Sequence, residues 1–208
     1  MQNGKFITIE GIEGVGKSTN IDFLVGLIEA HGHTVLQTRE PGGTPIAEDI
    51  RRILKEHGDE PMSDVAELLL LFAARSINVN NSIRPALAAG TWVVSDRFTD
   101  STRAYQGGGR GFSRERIEWL AEFVHGDVQP DLTILLDAPV ETALLRAGRR
   151  GDPDRFEVEQ AEFFSTVRET YLQLAEQQPE RFVVVDVSRD LDSVREVIQQ
   201  IATMLLND

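Results

Sequence analysis

The stretch from Gly11 to Ser18 has the residue types and the spacing needed to hold phosphate groups. It reads GIEGVGKS and fits the pattern G-x-x-x-x-G-K-[ST], in which glycines let successive backbone N–H groups point at a phosphate. Lys17 is then placed to bridge the β- and γ-phosphates of a nucleotide, and Ser18 to bind Mg²⁺. The motif predicts ATP or GTP binding. The full candidate loop consists of Gly11, Ile12, Glu13, Gly14, Val15, Gly16, Lys17, Ser18 and Thr19.

The loop stands between a strand pattern and a helix pattern, so that the positive end of the helix can face the same anion. Strand-like runs recur at 5–10, 34–39, 91–96, 131–137 and 181–187. Most of these runs are almost continuously apolar, which is typical of strands covered on both faces. Helical patterns separate them. The sequence therefore predicts a three-layer α/β/α P-loop NTPase fold, in which helices surround a five-stranded parallel sheet. We expect one domain over residues 1–208, because no linker or repeat interrupts the chain.

Composition excludes several classes of function. Asp and Glu number 34 against 21 Lys and Arg, giving a net charge of −13, which argues against a general nucleic-acid binder. The chain has no cysteine, so disulfides, thiolate zinc sites and a cysteine nucleophile are excluded. The longest apolar stretch, at 68–74, is too short to span a membrane, and no signal-peptide pattern precedes the first strand. We expect a cytoplasmic protein with no membrane partner.

Other motifs separate the possible phosphate-binding classes. Guanine-specific switches usually carry N-K-x-D and D-x-x-G, and neither pattern occurs here. An L-S-G-G-Q-like segment is also absent, which disfavours a transporter-type ATPase. A small-molecule kinase needs an acceptor pocket and a cationic lid. Residues 146–155 read RAGRRGDPDR, with Arg149 and Arg150 between glycines, and predict an Arg-rich lid over about 146–156. The alternative is a solvated helix end whose arginines pair with the neighbouring aspartates.

Six motifs in order resemble those of bacterial thymidylate kinases (dTMP kinases), a family of P-loop nucleoside monophosphate kinases. They are EGIEGVGKST at 10–19, TREPGGTP at 38–45, LLLFAAR at 69–75, SDRFTDSTRAYQGGGRG at 95–111, PDLTILLD at 130–137 and the lid. The resemblance covers nearly the whole chain. It implies transfer of the γ-phosphoryl group of ATP to dTMP with Mg²⁺, and a homodimer as the assembly. The phosphate loop lacks the arginine that some members carry, as in the enterobacterial-type subgroup, which has its arginines in the lid.

The resemblance also assigns residues to the transfer itself. Ser18 and Asp96 would lie in the metal shell, although Asp96 could instead be a structural loop carboxylate. Glu13 would approach the 3′-hydroxyl of the acceptor sugar or the metal shell. Positive charge on the transferring group would come from four residues: Lys17, Arg97, Arg149 and Arg150. Because a phosphate monoester has a second pKa of about 6, the acceptor is mostly a dianion at neutral pH and needs no general base.

The implied acceptor site includes three arginines for the monophosphate. These are Arg39, Arg51 and Arg97, of which Arg51 could equally lie on an exposed helix face. The full set of residues that the resemblance assigns to dTMP is Glu13, Arg39, Arg51, Phe72, Arg75, Arg97, Ser101, Thr102, Tyr105 and Gln106. Ser101, Thr102, Tyr105 and Gln106 are spaced to line one side of a helix.

The base and the sugar are assigned to particular side chains of this set. Arg75 would bond a thymine carbonyl, Thr102 could meet the N3–H side, and Tyr105 would crowd the sugar C2′ and reject ribose, unless it is a core tyrosine. An aromatic residue is expected four positions before the arginine, but Leu71 stands there and Phe72 follows it. Either Phe72 stacks on the base, or Leu71 forms an apolar platform and Phe72 belongs to the core.

Two rival functions remain at this point. One is another P-loop kinase that acts on a nucleoside or on a different nucleoside monophosphate. The other is a nucleotide-dependent switch that binds ATP without a second substrate. The lid arginines and the segment DRFTDSTRAYQ argue against a switch, which has no need of an acceptor site.

Overall fold

The computed structural model describes residues 4–56, 61–148 and 159–207. Most of the predicted lid, including Arg149 and Arg150, lies outside the described residues.

Five parallel strands form one sheet in the order β2-β3-β1-β4-β5. Their bounds are β1 Phe6–Glu10, β2 Val35–Arg39, β3 Trp92–Asp96, β4 Leu132–Asp137 and β5 Phe182–Asp186. All five predicted strands are confirmed, with ends that differ by at most one residue. The strand β1 pairs with both β3 and β4, so the phosphate loop that follows it leaves from the middle of the sheet. Because the strands are parallel, the chain segments after β1, β2 and β3 emerge at the same edge.

Helices connect the strands. Within the described ranges they are α1 Lys17–Ala30, α2 Pro45–Lys55, α3 Asp64–Asn78, α4 Arg84–Ala88, α5 Thr99–Thr102, α6 Arg114–Val124, α7 Val140–Ala147, α8 Ala161–Gln177 and α9 Leu191–Asn207. A π-helical turn at Val79–Ile83 joins α3 to α4, so these two helices follow each other without a loop. A second π-helical segment, Arg103–Gly109, continues α5. None of the helices that the structure describes has the length and apolar content needed to cross a bilayer.

The core has two main parts, one on each face of the sheet. Alternate residues of a strand point to opposite faces. Ile7 and Ile9 of β1 and Val94 of β3 therefore pack into the larger cluster, which includes side chains of α1, α8 and α9. Phe6 and Val93 pack into the second cluster with residues of the first π-helical turn. This arrangement confirms the predicted three layers.

Candidate active site

A cavity of about 250 Å³ opens where the phosphate loop meets the segments that follow β2 and β3. Predicted site residues on its wall are Glu13, Gly14, Gly16, Lys17, Ser18, Arg51, Arg75, Asp96, Arg97, Ser101, Thr102, Tyr105 and Gln106. The wall also includes residues that the sequence did not single out for this role, namely Glu40, Pro41, Lys55 and Phe98. One cavity thus brings together most of the predicted donor and acceptor residues.

Close packing fixes the backbone of the phosphate loop. Gly14 has φ 81°, and a Cβ atom there would overlap the carbonyl of Ala143 in α7. The side chains of Ile12 and Val15 are each 2% exposed and anchor the loop in the core. The helix α1 begins at Lys17, immediately after the loop. The positive end of α1 therefore faces the cavity, as anion binding requires.

Lys17 is held by the loop itself. Its Nζ donates hydrogen bonds of 3.0 Å to the carbonyl oxygens of Gly11 and Ile12. Burial, assisted by the charge of Arg97, lowers the pKa of Lys17 to about 8, against the opposing effect of acidic neighbours such as Asp96. A bound phosphate would add negative charge and favour the ammonium form.

Arg97 joins the phosphate loop to the acceptor wall. Its guanidinium donates to Glu13 Oε1 at 2.8 Å, to the hydroxyl of Tyr105 at 3.1 Å and to Ser101 Oγ at 3.1 Å. The hydroxyl of Tyr105 in turn donates to Glu13 Oε2 at 2.6 Å. A cation is therefore fixed between the phosphate loop and the segment that follows β3.

The backbone of Arg97 is left-handed, with φ 72°. A non-glycine residue in this conformation is strained, and such strain collects at functional sites. Two hydrogen bonds hold the backbone of Arg97 in this conformation. Its N–H donates to Ile9 O at 3.0 Å, and Ser95 Oγ donates to Arg97 O at 2.7 Å.

Sequence reasoning missed Glu10, a fully buried carboxylate at the end of β1. Its Oε1 accepts from the N–H of Phe98 at 2.7 Å, and its Oε2 accepts from the hydroxyls of Ser101 at 2.6 Å and Tyr171 at 2.8 Å. Burial, with a further contribution from the charge of Asp100, raises the pKa of Glu10 to about 7. The available signal was an acidic residue that closes an apolar strand next to the loop. Tyr171 gave no such signal, because it lies in an ordinary amphipathic helix.

Arg75 of α3 is buried and firmly oriented. Its Nε donates to Glu40 Oε2 at 2.6 Å, and its Nη2 donates to Phe98 O at 3.2 Å and Thr102 Oγ1 at 3.0 Å. Its buried Nη1 has no hydrogen-bond partner among the residues that the structure describes. Burial raises the pKa of Glu40, in opposition to the charge of Arg75. Arg75, which borders the cavity, thus keeps one donor nitrogen without a described partner.

Leu71, and not Phe72, borders this cavity. Leu71 precedes Arg75 by four residues and shares its helix face. Phe72 points in a direction rotated by about 100° from Leu71 around the helix axis. Phe72 is buried in a small cluster with Leu68 and Ile117, and its ring centroid lies 4.8 Å from the guanidinium carbon of Arg75. The geometry favours the alternative in which Leu71 forms the platform and Phe72 belongs to the core.

The other two arginines predicted to hold the monophosphate, Arg39 and Arg51, lie in different surroundings. Arg51 borders the cavity and donates to Pro41 O at 2.8 Å. Arg39 makes two hydrogen bonds to Glu48, of 3.0 and 2.8 Å, and borders a separate open cavity of about 710 Å³. In this structure Arg39 therefore lies apart from the other residues predicted to bind the acceptor.

Asp96 ends β3 and borders both cavities, as does Ser18. Its Oδ1 is buried and lacks a hydrogen-bond partner in the described part of the chain. A buried carboxylate oxygen without a protein donor is suited to a cation or to water bound to one. The two residues therefore fit a Mg²⁺ ion.

Comparisons with known proteins agree with this site. The thymidylate kinase family model matches residues 9–198. The thymidylate kinase of Chromohalobacter salexigens is 55% identical over 197 residues, covering 94% of this chain and 93% of that protein. The thymidylate kinase of Pseudomonas savastanoi pv. phaseolicola is 54% identical over 203 residues, covering 98% and 97%. The crystal structure of thymidylate kinase from Ehrlichia chaffeensis superimposes with a TM-score of 0.78 at 32% identity, covering 97% of this chain and 99% of that one. The resemblance expected from the motifs is confirmed, and the chain belongs to the thymidylate kinase family.

Proposed function

We propose that this protein transfers the γ-phosphoryl group of ATP to the 5′-phosphate of dTMP, giving dTDP and ADP. One observation carries the proposal beyond family membership. A single cavity is bounded on one side by the phosphate loop and on the other by Arg75, Arg97 and Tyr105. Two nucleotides bound end to end would meet where Arg97 contacts Glu13.

The chemistry requires alignment and charge neutralisation, and no strong base. The acceptor phosphate is already largely a dianion at neutral pH, since its second pKa is about 6. Lys17 and Arg97 are fixed before any substrate arrives, Lys17 by loop carbonyls and Arg97 by Glu13, Ser101 and Tyr105. Preorganised cations of this kind lower the barrier because they do not have to reorient as charge moves.

Mg²⁺ would be held by Asp96 and Ser18 together with phosphate oxygens, and the unpartnered Asp96 Oδ1 supports this assignment. When bound, the ion would neutralise negative charge on the phosphates. The remaining work of holding and orienting the two nucleotides falls to the side chains of the cavity.

Acceptor selection is proposed to follow from the wall opposite the loop. Arg51 and Arg97 would hold the monophosphate, and Arg39 would join them only after leaving Glu48. Arg75 would donate its spare Nη1 hydrogen atoms to a thymine carbonyl, and Leu71 would lie against the base.

Three further assignments rest on the sequence. The Arg-rich lid with Arg149 and Arg150 would cover the transferring group and exclude water, which otherwise hydrolyses ATP. The single-domain organisation over 1–208 is part of the same proposal. The cytoplasmic location also remains a prediction.

We propose a homodimer formed through α2, α3 and α6. These helices pack against one another in that order and expose large apolar side chains. Trp119 and Phe123 of α6 are 65% and 76% exposed and stack with ring centroids 5.6 Å apart, and Leu69 of α3 is 53% exposed. An exposed apolar group of this kind marks an interaction surface.

Light scattering after size exclusion should give twice the chain mass for the wild type, and the chain mass for Phe123→Glu. Leu145→Glu, on α7, is the matched control and should stay dimeric. A monomeric wild type contradicts the proposal.

A coupled ADP-release assay tests the reaction and its rivals. ATP and Mg²⁺ are supplied alone and with thymidine, dTMP, dUMP, UMP or dCMP. We expect dTMP to give the largest acceptor-dependent rate. A larger rate with thymidine or with another monophosphate would identify a different P-loop kinase. No acceptor-dependent rate at all would indicate a switch.

A further inference from the structure

We infer that Glu67, which lies behind the cavity wall, sets the base specificity of the proposed kinase by fixing the orientation of the Gln106 amide. The inference rests on the proposed function, because it concerns the same acceptor site.

Glu67 is a fully buried carboxylate on α3. Its Oε1 accepts from Gln106 Nε2 at 2.8 Å, and its Oε2 lies 3.5 Å from Arg110 Nη2. A carboxylate paired with an arginine accepts hydrogen bonds and donates none. The NH₂ group of Gln106 must therefore face Glu67, because the reverse orientation would place two acceptor oxygens against each other. The carbonyl oxygen of Gln106 is then the end of the amide that remains for a ligand of the cavity that Gln106 borders.

The same face of α3 supplies the complementary donor. Glu67, Leu71 and Arg75 are spaced by four residues, so they follow one another along one side of the helix. Arg75 has no acceptor atom and keeps a buried Nη1 without a described partner. The wall thus offers a donor on Arg75 and an acceptor, the carbonyl oxygen of Gln106, whose amide is held by Glu67. Along α3, the apolar Leu71 lies between Arg75 and Glu67.

This pattern matches the edge of thymine and opposes that of cytosine. Thymine presents O4, an acceptor, and N3–H, a donor, whereas cytosine presents an N4 amino donor and an unprotonated N3 acceptor. Thr102 cannot make this distinction alone, because its hydroxyl can either donate or accept. A group whose role is fixed rejects the wrong edge, since a buried polar group would be left unpaired.

The test is Glu67→Gln, assayed with dTMP and with 5-methyl-dCMP, which keeps the methyl group and changes only the hydrogen-bonding edge. An amide at position 67 can donate as well as accept, so Gln106 can present either end. We expect the ratio of kcat/KM for dTMP to that for 5-methyl-dCMP to fall by about tenfold or more. Asp64→Asn is the matched control. It alters the other α3 carboxylate near Arg110, at 3.7 Å, without touching Gln106, and should leave the ratio unchanged.

A variant that slows both acceptors by the same factor would show that Glu67 is merely structural, and the inference would be wrong. Gln106→Met gives an independent test if Glu67→Gln does not fold. The dTMP preference should fall in Gln106→Met as well, and an unchanged preference would overturn the inference because Glu67 could not act through Gln106. If the wild type itself shows no dTMP-dependent turnover, the proposed function fails, and this inference fails with it. If the wild type is active and the variants keep its selectivity, only the inference about Glu67 is wrong, and the proposed function stands.

Discussion

Replacing Glu10 by glutamine should make the protein progressively more stable, relative to the wild type, as the pH rises from 5 to 8. Burial raises the pKa of Glu10 from 4.5 to about 7 in the folded state. Between these two pH values, the Glu10 carboxyl group has lost its proton in the unfolded chain and retains it in the folded chain. The folded state then binds more protons than the unfolded state, so the free energy of unfolding falls as the pH rises.

The size of this effect follows from the width of the interval. Each pH unit between 4.5 and about 7 lowers the free energy of unfolding by about 1.4 kcal/mol, or about 3 kcal/mol in all. About 2 to 3 kcal/mol of this falls between pH 5 and pH 8. Glutamine does not titrate. The substitution therefore changes the free energy of unfolding by an amount that does not depend on pH, in addition to removing the titration. Only the change with pH of the difference between variant and wild type is attributed to Glu10.

Urea unfolding of both proteins at pH 5, 6, 7 and 8, at constant ionic strength, measures the difference directly. Glu118→Gln is a control, because a hydrogen bond from Arg103 lowers the pKa of Glu118, the direction opposite to that of Glu10. Its stability difference from the wild type should be flat from pH 5 to 8. Parallel curves for Glu10→Gln and the wild type would refute the reasoning, as would a difference that changes in the opposite direction.

Three further predictions concern turnover. Lys17→Ala should lower kcat by about a hundredfold or more while the far-ultraviolet circular dichroism stays that of a folded protein, because a fixed cation at the phosphates is lost; near-normal turnover would contradict this role. Tyr105→Ala should reduce the preference for dTMP over UMP by about tenfold, since space opens beside the sugar, and an unchanged preference would count against that assignment. Arg149→Ala or Arg150→Ala should lower kcat by roughly a hundredfold with little change in the Kd for dTMP, and wild-type turnover in both variants would show that the lid assignment is wrong.

Local patterns were sufficient for the strands and the phosphate loop. The run FITIE is apolar enough to be covered on both faces, and the glycines that follow it occupy positions with left-handed backbone or without room for a side chain. The four-residue spacing from Ser101 to Tyr105 likewise placed both side chains on the same wall. Each of these features depends on residues close together in the sequence.

The buried carboxylates at and behind the cavity wall could not be assigned in this way. Glu40, Glu67 and Glu10 bond to groups that are 35, 39 and 161 residues away along the chain. Their roles arise only when the fold brings those partners together, and a buried carboxylate cannot be told from an exposed one by its letter. Arg39 differs because its partner, Glu48, is only nine residues away along the chain. This short-range contact holds Arg39 outside the cavity in which the sequence had placed it.

The left-handed backbone of Arg97 has a consequence for protein engineering. A residue in this conformation costs roughly 1–3 kcal/mol, and glycine would relieve that cost. A redesign guided by thermostability would therefore select glycine at position 97 and discard the guanidinium that joins the two halves of the site. The strained backbone at Arg97 keeps a cation in place before the nucleotides bind. A variant with glycine at position 97 should therefore have a higher melting temperature and a lower catalytic rate.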